Sequence, residues 1–153
     1  MISREELLER EDGAWSELVT AIAAVPADRL PVEGVVPGWS VHDLVWRCAY
    51  WAAHTGDQLE RLQGDGPGTT GGEGEDAAEA EILVTGRGLE WDEVMLKLEQ
   101  SRDRARAAFS AIVEPSDAAV ALFTEDAFGT TKSTRPRSVR SAPDPGADRK
   151  QAP

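Results

Sequence analysis

The side chains best suited to chemistry lie in one stretch, residues 42–54, which holds both histidines and the single cysteine of the chain. An imidazole can bind a metal ion or transfer a proton, and a thiolate can act as a nucleophile. A catalytic metal site generally needs three protein ligands, however, and no H-x-x-x-H pair occurs in the sequence. His54 is therefore a weak candidate for a metal ligand, and His42 is predicted to be a surface residue. Cys48 is predicted to face the core and to be inert, because no base is evident near it.

The element that precedes this stretch is predicted to be a long helix. Ser3 followed by Glu6 has the spacing of a capping box, which marks a helix N-terminus. Apolar residues then recur at helical spacing along residues 7–25. Pro26 and Pro31 end the helix.

The candidate residues themselves are carried by a second predicted helix. It follows a loop with a turn at Pro37-Gly38 and opens at Ser40, again with an acidic residue, Asp43, three positions later. Apolar residues at helical spacing continue from 41 to 62. The glycine-rich residues 64–74 then predict a flexible loop.

The remaining periodic segments are also helical in pattern. Residues 76–85 predict a short helix closed by Gly86, and residues 91–112 predict a third long helix. A further element begins after Pro115-Ser116-Asp117. The sequence shows neither an internal repeat nor the alternating pattern of strands, so the predicted fold class is all-α, most simply an up-and-down four-helix bundle.

The fourth long helix that such a bundle requires is interrupted. Its apolar pattern begins near 117 and disappears at Gly129, and residues 129–153 contain one aliphatic residue and four prolines. This composition predicts a disordered tail after a domain at 1–128. Helix 4 would then be truncated or scrambled, and three long helices would present an apolar seam with nothing to cover it.

The net charge of −12 argues against a nucleic-acid-binding protein, but it is unevenly spread. The tail carries six basic and two acidic residues, which leaves −16 for the first 128 residues. One cysteine excludes an intrachain disulfide framework. The charged N-terminus has no signal-peptide core, and no apolar run approaches the roughly 20 residues that span a bilayer. A soluble, cytoplasmic protein is therefore predicted.

Residues 37–51, P-G-W-S-V-H-D-L-V-W-R-C-A-Y-W, resemble the second-helix signature of the DinB/YfiT-like four-helix bundles. Within them the closest resemblance is to the metal-binding domain of mycothiol-dependent maleylpyruvate isomerases and to ClbS/DfsB-type proteins. Residues 87–94 are similar to the family's entry into its third helix. The resemblance covers about residues 3–128. The signature positions that match are Gly38, Trp39, Ser40, Val41, Asp43, Leu44, Val45 and Ala49.

The resemblance implies a divalent metal, zinc by preference, held by one histidine of helix 2 and by an H-x-x-x-H pair of helix 4. Three imidazoles leave open positions, at which a thiol cofactor or water can be activated. This sequence departs from the pattern at every ligand. Arg47 occupies the helix 2 position, and a guanidinium has no lone pair for a metal. Thr130 and Thr134 occupy the helix 4 positions.

A shift of reading frame accounts for the tail. The codons of residues 129–137, G-T-T-K-S-T-R-P-R, can be read from the third base of the glycine codon as H-Y-x-E-H-A-A-A. That is the helix 4 motif of the family, with its histidines at the positions of Thr130 and Thr134. The hypothesis is that the chain is frameshifted near Gly129, and the competing interpretation is a genuine disordered tail.

Two functions are predicted. The resemblance implies thiol-dependent isomerisation or conjugation of a small electrophile, with mycothiol as a possible thiol, impaired here because the ligands are missing. The alternative is a non-catalytic, metal-free helical interaction module or a decayed homologue. In that case the exposed seam would pair with a second copy or with a partner helix, and a homodimer is the simplest form.

Overall fold

A computed structural model describes residues 2–63 and 75–124 of the chain, and the ordered elements within these ranges are helices. Apart from an isolated bridge between Val36 and Trp39, these two ranges contain no β-structure. The predicted all-α class is therefore confirmed. The helices are α1 (Arg4–Ala23), a short 3-10 helix (Ala27–Arg29), α2 (Val41–Gln63), α3 (Glu75–Gly86), α4 (Trp91–Ala111) and α5 (Asp117–Leu122).

The predicted N-termini of α1 and α2 are confirmed by their hydrogen bonds. The Ser3 hydroxyl accepts from the backbone N–H of Glu6 at 3.1 Å. At the start of α2 the exchange is reciprocal, since Asp43 N donates to Ser40 Oγ at 3.1 Å and Ser40 N donates to Asp43 Oδ2 at 3.0 Å. Each bond satisfies a backbone donor that has no partner within the first turn of a helix.

The boundaries of the later helices were predicted less completely. Gly86 is the last residue of α3 rather than a residue beyond it. Glu90 and Glu93 form a capping box at the start of α4 that the sequence analysis did not identify. Ser116 caps α5 through its hydroxyl, as the pattern at Pro115-Ser116-Asp117 indicated.

The direction of each helix follows from its end-to-end contacts. His42 meets Leu89 near the starts of α2 and α4, and Gln63 meets Ala108 near their ends, so these two helices run parallel. Arg4 donates to Ile112 O at 2.9 Å, which makes α1 antiparallel to α4. Glu79 within α3 meets Arg47, and Arg87 directly after α3 lies near Asp43 at the start of α2, so α3 is antiparallel to α2.

Among the described residues, the core consists of two clusters, one at each end of the bundle. The first cluster joins α1, α2, α4 and α5, and the rings of Phe109 and Phe123 stack there with centroids 4.2 Å apart. The second cluster joins α1, α2 and α4 around Leu18, Val45 and Val94. The α2–α4 pair contributes to both clusters, and the other helices pack around it.

The loop predicted at 64–74, Phe128 and the tail at 129–153 lie outside the described residues. α5 begins where a fourth long helix was predicted to begin, and the described part of the chain ends two residues after it. In the described ranges, each helix is too short or too polar to cross a membrane.

Candidate functional site

The position that the resemblance assigns to a metal ligand holds an ion pair. Arg47 projects from α2 and donates from Nε to Glu79 Oε1 of α3 at 2.8 Å. The two side chains are only 25% and 28% exposed, so the pair is partly shielded from solvent. Because both members are charged and hydrogen-bonded, this contact ties α3 to α2.

Arg47 is the first of four polar or aromatic residues on one face of α2, and we call Arg47, Trp51, His54 and Gln58 the α2 stripe. Their spacing of four, three and four residues keeps them on one helix face. The His54 ring packs edge-on against Trp51 with centroids 5.4 Å apart. Gln58 is only 5% exposed. Its Oε1 and the indole N–H of Trp51 are buried without a hydrogen-bond partner among the described residues.

The α2 stripe does not fit the metal site that the resemblance implies. Arg47 is a cation without a lone pair, and its guanidinium faces a carboxylate instead of a metal. Within residues 2–63 and 75–124, no three His, Cys, Asp or Glu side chains come together in a group that could hold a metal. His54 therefore belongs to no group of three such side chains in this part of the chain. Thr130 and Thr134 lie outside the described residues.

Cys48 lies roughly a quarter of a turn around α2 from the α2 stripe, in the second core cluster. Burial raises the pKa of its thiol to about 12, and the positive charge of Arg47 offsets only part of that effect. A thiol with such a pKa is protonated at neutral pH and is a poor nucleophile. The predicted core position is confirmed, and the thiol has the properties of an inert residue.

His42 is half-buried, so it is less exposed than its prediction as a surface residue implied. Its Nε2 lies 2.9 Å from the carbonyl oxygen of Leu89, and its ring lies 6.1 Å from the ring of Trp91. The carbonyl can only accept, so Nε2 donates to it, and Nδ1 is an acceptor whenever the ring is neutral. The sequence pattern predicted that His42 lies away from the bundle seam. In the structure Leu89, in the connection between α3 and α4, contacts its ring.

A cavity of about 550 Å³ lies at this end of the bundle, and we call it the end cavity. The connection between α1 and α2 forms one side, and the connection between α3 and α4 forms the other. The starts of α2 and α4 close the bottom. The residues that line it include Leu30, Glu33, His42, Asp43, Arg87, Glu90 and Trp91.

The charged groups of the end cavity are linked to one another. Arg87 donates to Glu33 at 3.1 Å and lies 3.8 Å from Asp43 Oδ1. Asp43 is only 3% exposed, and its other carboxylate oxygen caps α2. Glu90 caps α4. The sequence analysis interpreted Asp43 as a cap only, because the approach of Arg87 from 44 positions along the chain has no local signal.

A buried carboxylate on α1, Glu11, was also missed. It is 4% exposed and receives two hydrogen bonds from Arg102 of α4, at 2.8 and 3.0 Å, and one from Arg106. Arg102 also donates to Asp12 at 2.5 Å and lies over the ring of Trp15, 4.5 Å from its centroid. Burial acts to lower the pKa of Arg102, but its bonds to Glu11 and Asp12 raise it above the usual value.

A local signal for Glu11 did exist. Residues 7, 11 and 18 fall on one face of α1, and Leu7 and Leu18 are both core residues. A carboxylate on an apolar face requires a cationic partner.

Comparison of the chain with family models, with curated proteins and with solved structures finds no match.

Proposed function

We propose that this chain is a DinB-like helical bundle of the mycothiol-dependent maleylpyruvate isomerase type whose metal- and thiol-dependent chemistry is impaired. The resemblance of residues 37–51 supports the family, and the all-helical structure is compatible with it. The single observation that carries the loss of chemistry is the ion pair between Arg47 and Glu79. It puts a positive charge at the position where the family places a metal ligand.

The physical argument is electrostatic. A divalent cation near Arg47 would be repelled by the guanidinium, which stays protonated at all accessible pH values. Glu79 would have to give up its hydrogen bond from Arg47 to bind the metal. His54 would supply only one ligand, and a stable site needs three or four. The residues of the α2 stripe therefore favour a metal-free protein, which is compatible with a domain that binds partners instead of turning over substrate.

The test is zinc binding by the full chain, measured by calorimetry and by metal analysis after dialysis. Maleylpyruvate isomerisation with mycothiol is assayed in parallel. We expect no stoichiometric zinc and no turnover above the uncatalysed rate. Arg47→His removes the repelling charge and supplies an imidazole seven residues before His54, so it should gain weak zinc binding. Arg29→His, at an exposed position in the connection between α1 and α2, is the matched control and should gain none.

One zinc per unmodified chain together with thiol-dependent turnover would overturn the proposal. Sedimentation of the same samples separates the two functions predicted from the sequence. A stable metal-free dimer supports the interaction module, and a metal-free monomer supports a decayed enzyme domain.

A further inference from the structure

The end cavity has the dimensions of a small-molecule site and is separate from the α2 stripe. Ligand pockets typically enclose roughly 300–1,000 Å³, and this cavity encloses about 550 Å³. Its walls combine apolar side chains such as Leu30 and Leu89 with an indole, an imidazole and four charged groups. Its lining is polar and apolar in similar measure, which suits a small ligand that has one charged part and one apolar part.

The charges of the end cavity favour a cation. Three carboxylates, of Glu33, Asp43 and Glu90, face a single guanidinium, that of Arg87. Arg87 lies within ion-pair distance of both Glu33 and Asp43 and balances one of the three negative charges. The N-termini of α2 and α4 each contribute about half a positive charge and so offset about one of the two remaining carboxylates. An excess of about one negative charge is left, within a chain of net charge −12 that attracts cations from a distance.

The aromatic wall favours an organic cation over an inorganic one. The rings of Trp91 and His42 lie against each other, and the face of an indole attracts ammonium groups and packs against apolar ones. The hydrogen bond to Leu89 fixes the His42 ring and leaves Nδ1 as an acceptor. An ammonium group has donors for both Nδ1 and a carboxylate.

We propose that the end cavity binds a small primary amine that carries an apolar or aromatic group. The ammonium lies near Asp43, and the apolar part lies against Trp91 and the aliphatic wall. The proposal does not depend on the metal-free character of the α2 stripe, because the cavity lies at the end of the bundle and shares no residue with the stripe.

The experiment measures binding to the full chain by calorimetry at pH 7 with three probes of similar shape. Phenethylamine is cationic, 2-phenylethanol is neutral, and 3-phenylpropanoate is anionic. We expect saturable binding of phenethylamine at one site, about tenfold tighter than 2-phenylethanol, which corresponds to about 1.4 kcal/mol. The anion should bind more weakly still. Equal affinities for the three probes, or tightest binding of the anion, would overturn the proposal.

Two variants with the same change of net charge locate the site. Asp43→Asn keeps an oxygen that can cap α2 and removes the charge, so phenethylamine should bind roughly fivefold more weakly. Asp92→Asn changes an exposed residue of α4 outside the cavity and should leave the affinity unchanged.

Equal effects of the two substitutions would place the amine elsewhere and overturn the proposal. If circular dichroism shows that Asp43→Asn is unfolded, Glu33→Gln takes its place. That residue is exposed in the α1–α2 connection and caps no helix, so its loss of charge should weaken phenethylamine binding without affecting the fold. Unchanged affinity in Glu33→Gln then decides against the proposal.

Discussion

Buried ionic side chains in this protein are held by partners from distant helices. Glu11 of α1 is nearly inaccessible to solvent, and it is tolerated there because Arg102 and Arg106 of α4 saturate its oxygens. Removing one partner of a buried ion pair leaves the other charge uncompensated in a low-dielectric site. The contact therefore selects one register of α1 on α4.

We expect Glu11→Gln to destabilise the protein by about 3 kcal/mol, because the two arginines then share Asp12 as a negative partner and lose the buried one. Chemical denaturation followed by circular dichroism measures this change in the free energy of unfolding. Glu9→Gln removes the same charge from an exposed position of α1 and should change stability by less than about 0.5 kcal/mol. Similar values for the two variants would show that Glu11 contributes little to the α1–α4 contact.

At the scale of the elements, the packing of α3 against α2 requires a residue without a side chain at position 86. A Cβ added to Gly86 would lie 2.4 Å from Cδ1 and 2.8 Å from Cγ of Trp46. The indole in turn donates from Nε1 to Thr85 at 3.2 Å. The last turn of α3 therefore rests directly on the ring, and the glycine follows from packing as well as from helix termination.

We expect Gly86→Ala to lower stability by about 1–3 kcal/mol, because Trp46 must move and its hydrogen bond to Thr85 is disturbed. Thermal and urea unfolding, together with tryptophan fluorescence, measure the effect. Gly13→Ala is the matched control, since Gly13 lies inside α1 with open space around its Cα. Alanine should stabilise that helix by up to about 1 kcal/mol. Stabilisation by both substitutions would contradict the tight contact at Gly86.

The helix starts at Ser3, Ser40 and Ser116 could be predicted because a cap and its target lie within four residues in the sequence. The capping box at Glu90 was missed because Glu is an uncommon N-cap residue. Neither the contact between Gly86 and Trp46 nor the end cavity could be predicted from the sequence. They depend on which connections meet in space, and apolar periodicity within one helix carries no information about that.

At the scale of the whole molecule, the described part is helical from α1 to α5, while the amphipathic pattern stops at Gly129. The frameshift hypothesis depends on three observations: this break in amphipathicity, the reversal of charge at the same point from −16 to +4, and the helix 4 motif in the shifted reading. The protein fold was predictable to the level of its class. The family and the metal chemistry stay proposals, because the residues that would decide them are Arg47 and those of the tail at 129–153.

We expect DNA sequencing across codons 128–136 and codon 47 to show a missing or an extra base near codon 129. The corrected frame should encode H-Y-x-E-H, because this motif already lies in the shifted reading of residues 129–137. The intact mass of the expressed chain provides an independent check. An unchanged reading with a matching mass would contradict the frameshift and establish the tail as genuine.

The parallel arrangement of α2 and α4 has a consequence for the order of folding. Their contacts join residues about 45 positions apart, and the contacts of α1 with α4 join residues 90 or more apart. Such sequence separations are large for a helical protein. We therefore expect slower folding than for bundles in which helices consecutive in the sequence pack against each other. During synthesis α1 is made well before Arg102. Glu11 can therefore form its ion pairs only after α4 has been synthesised.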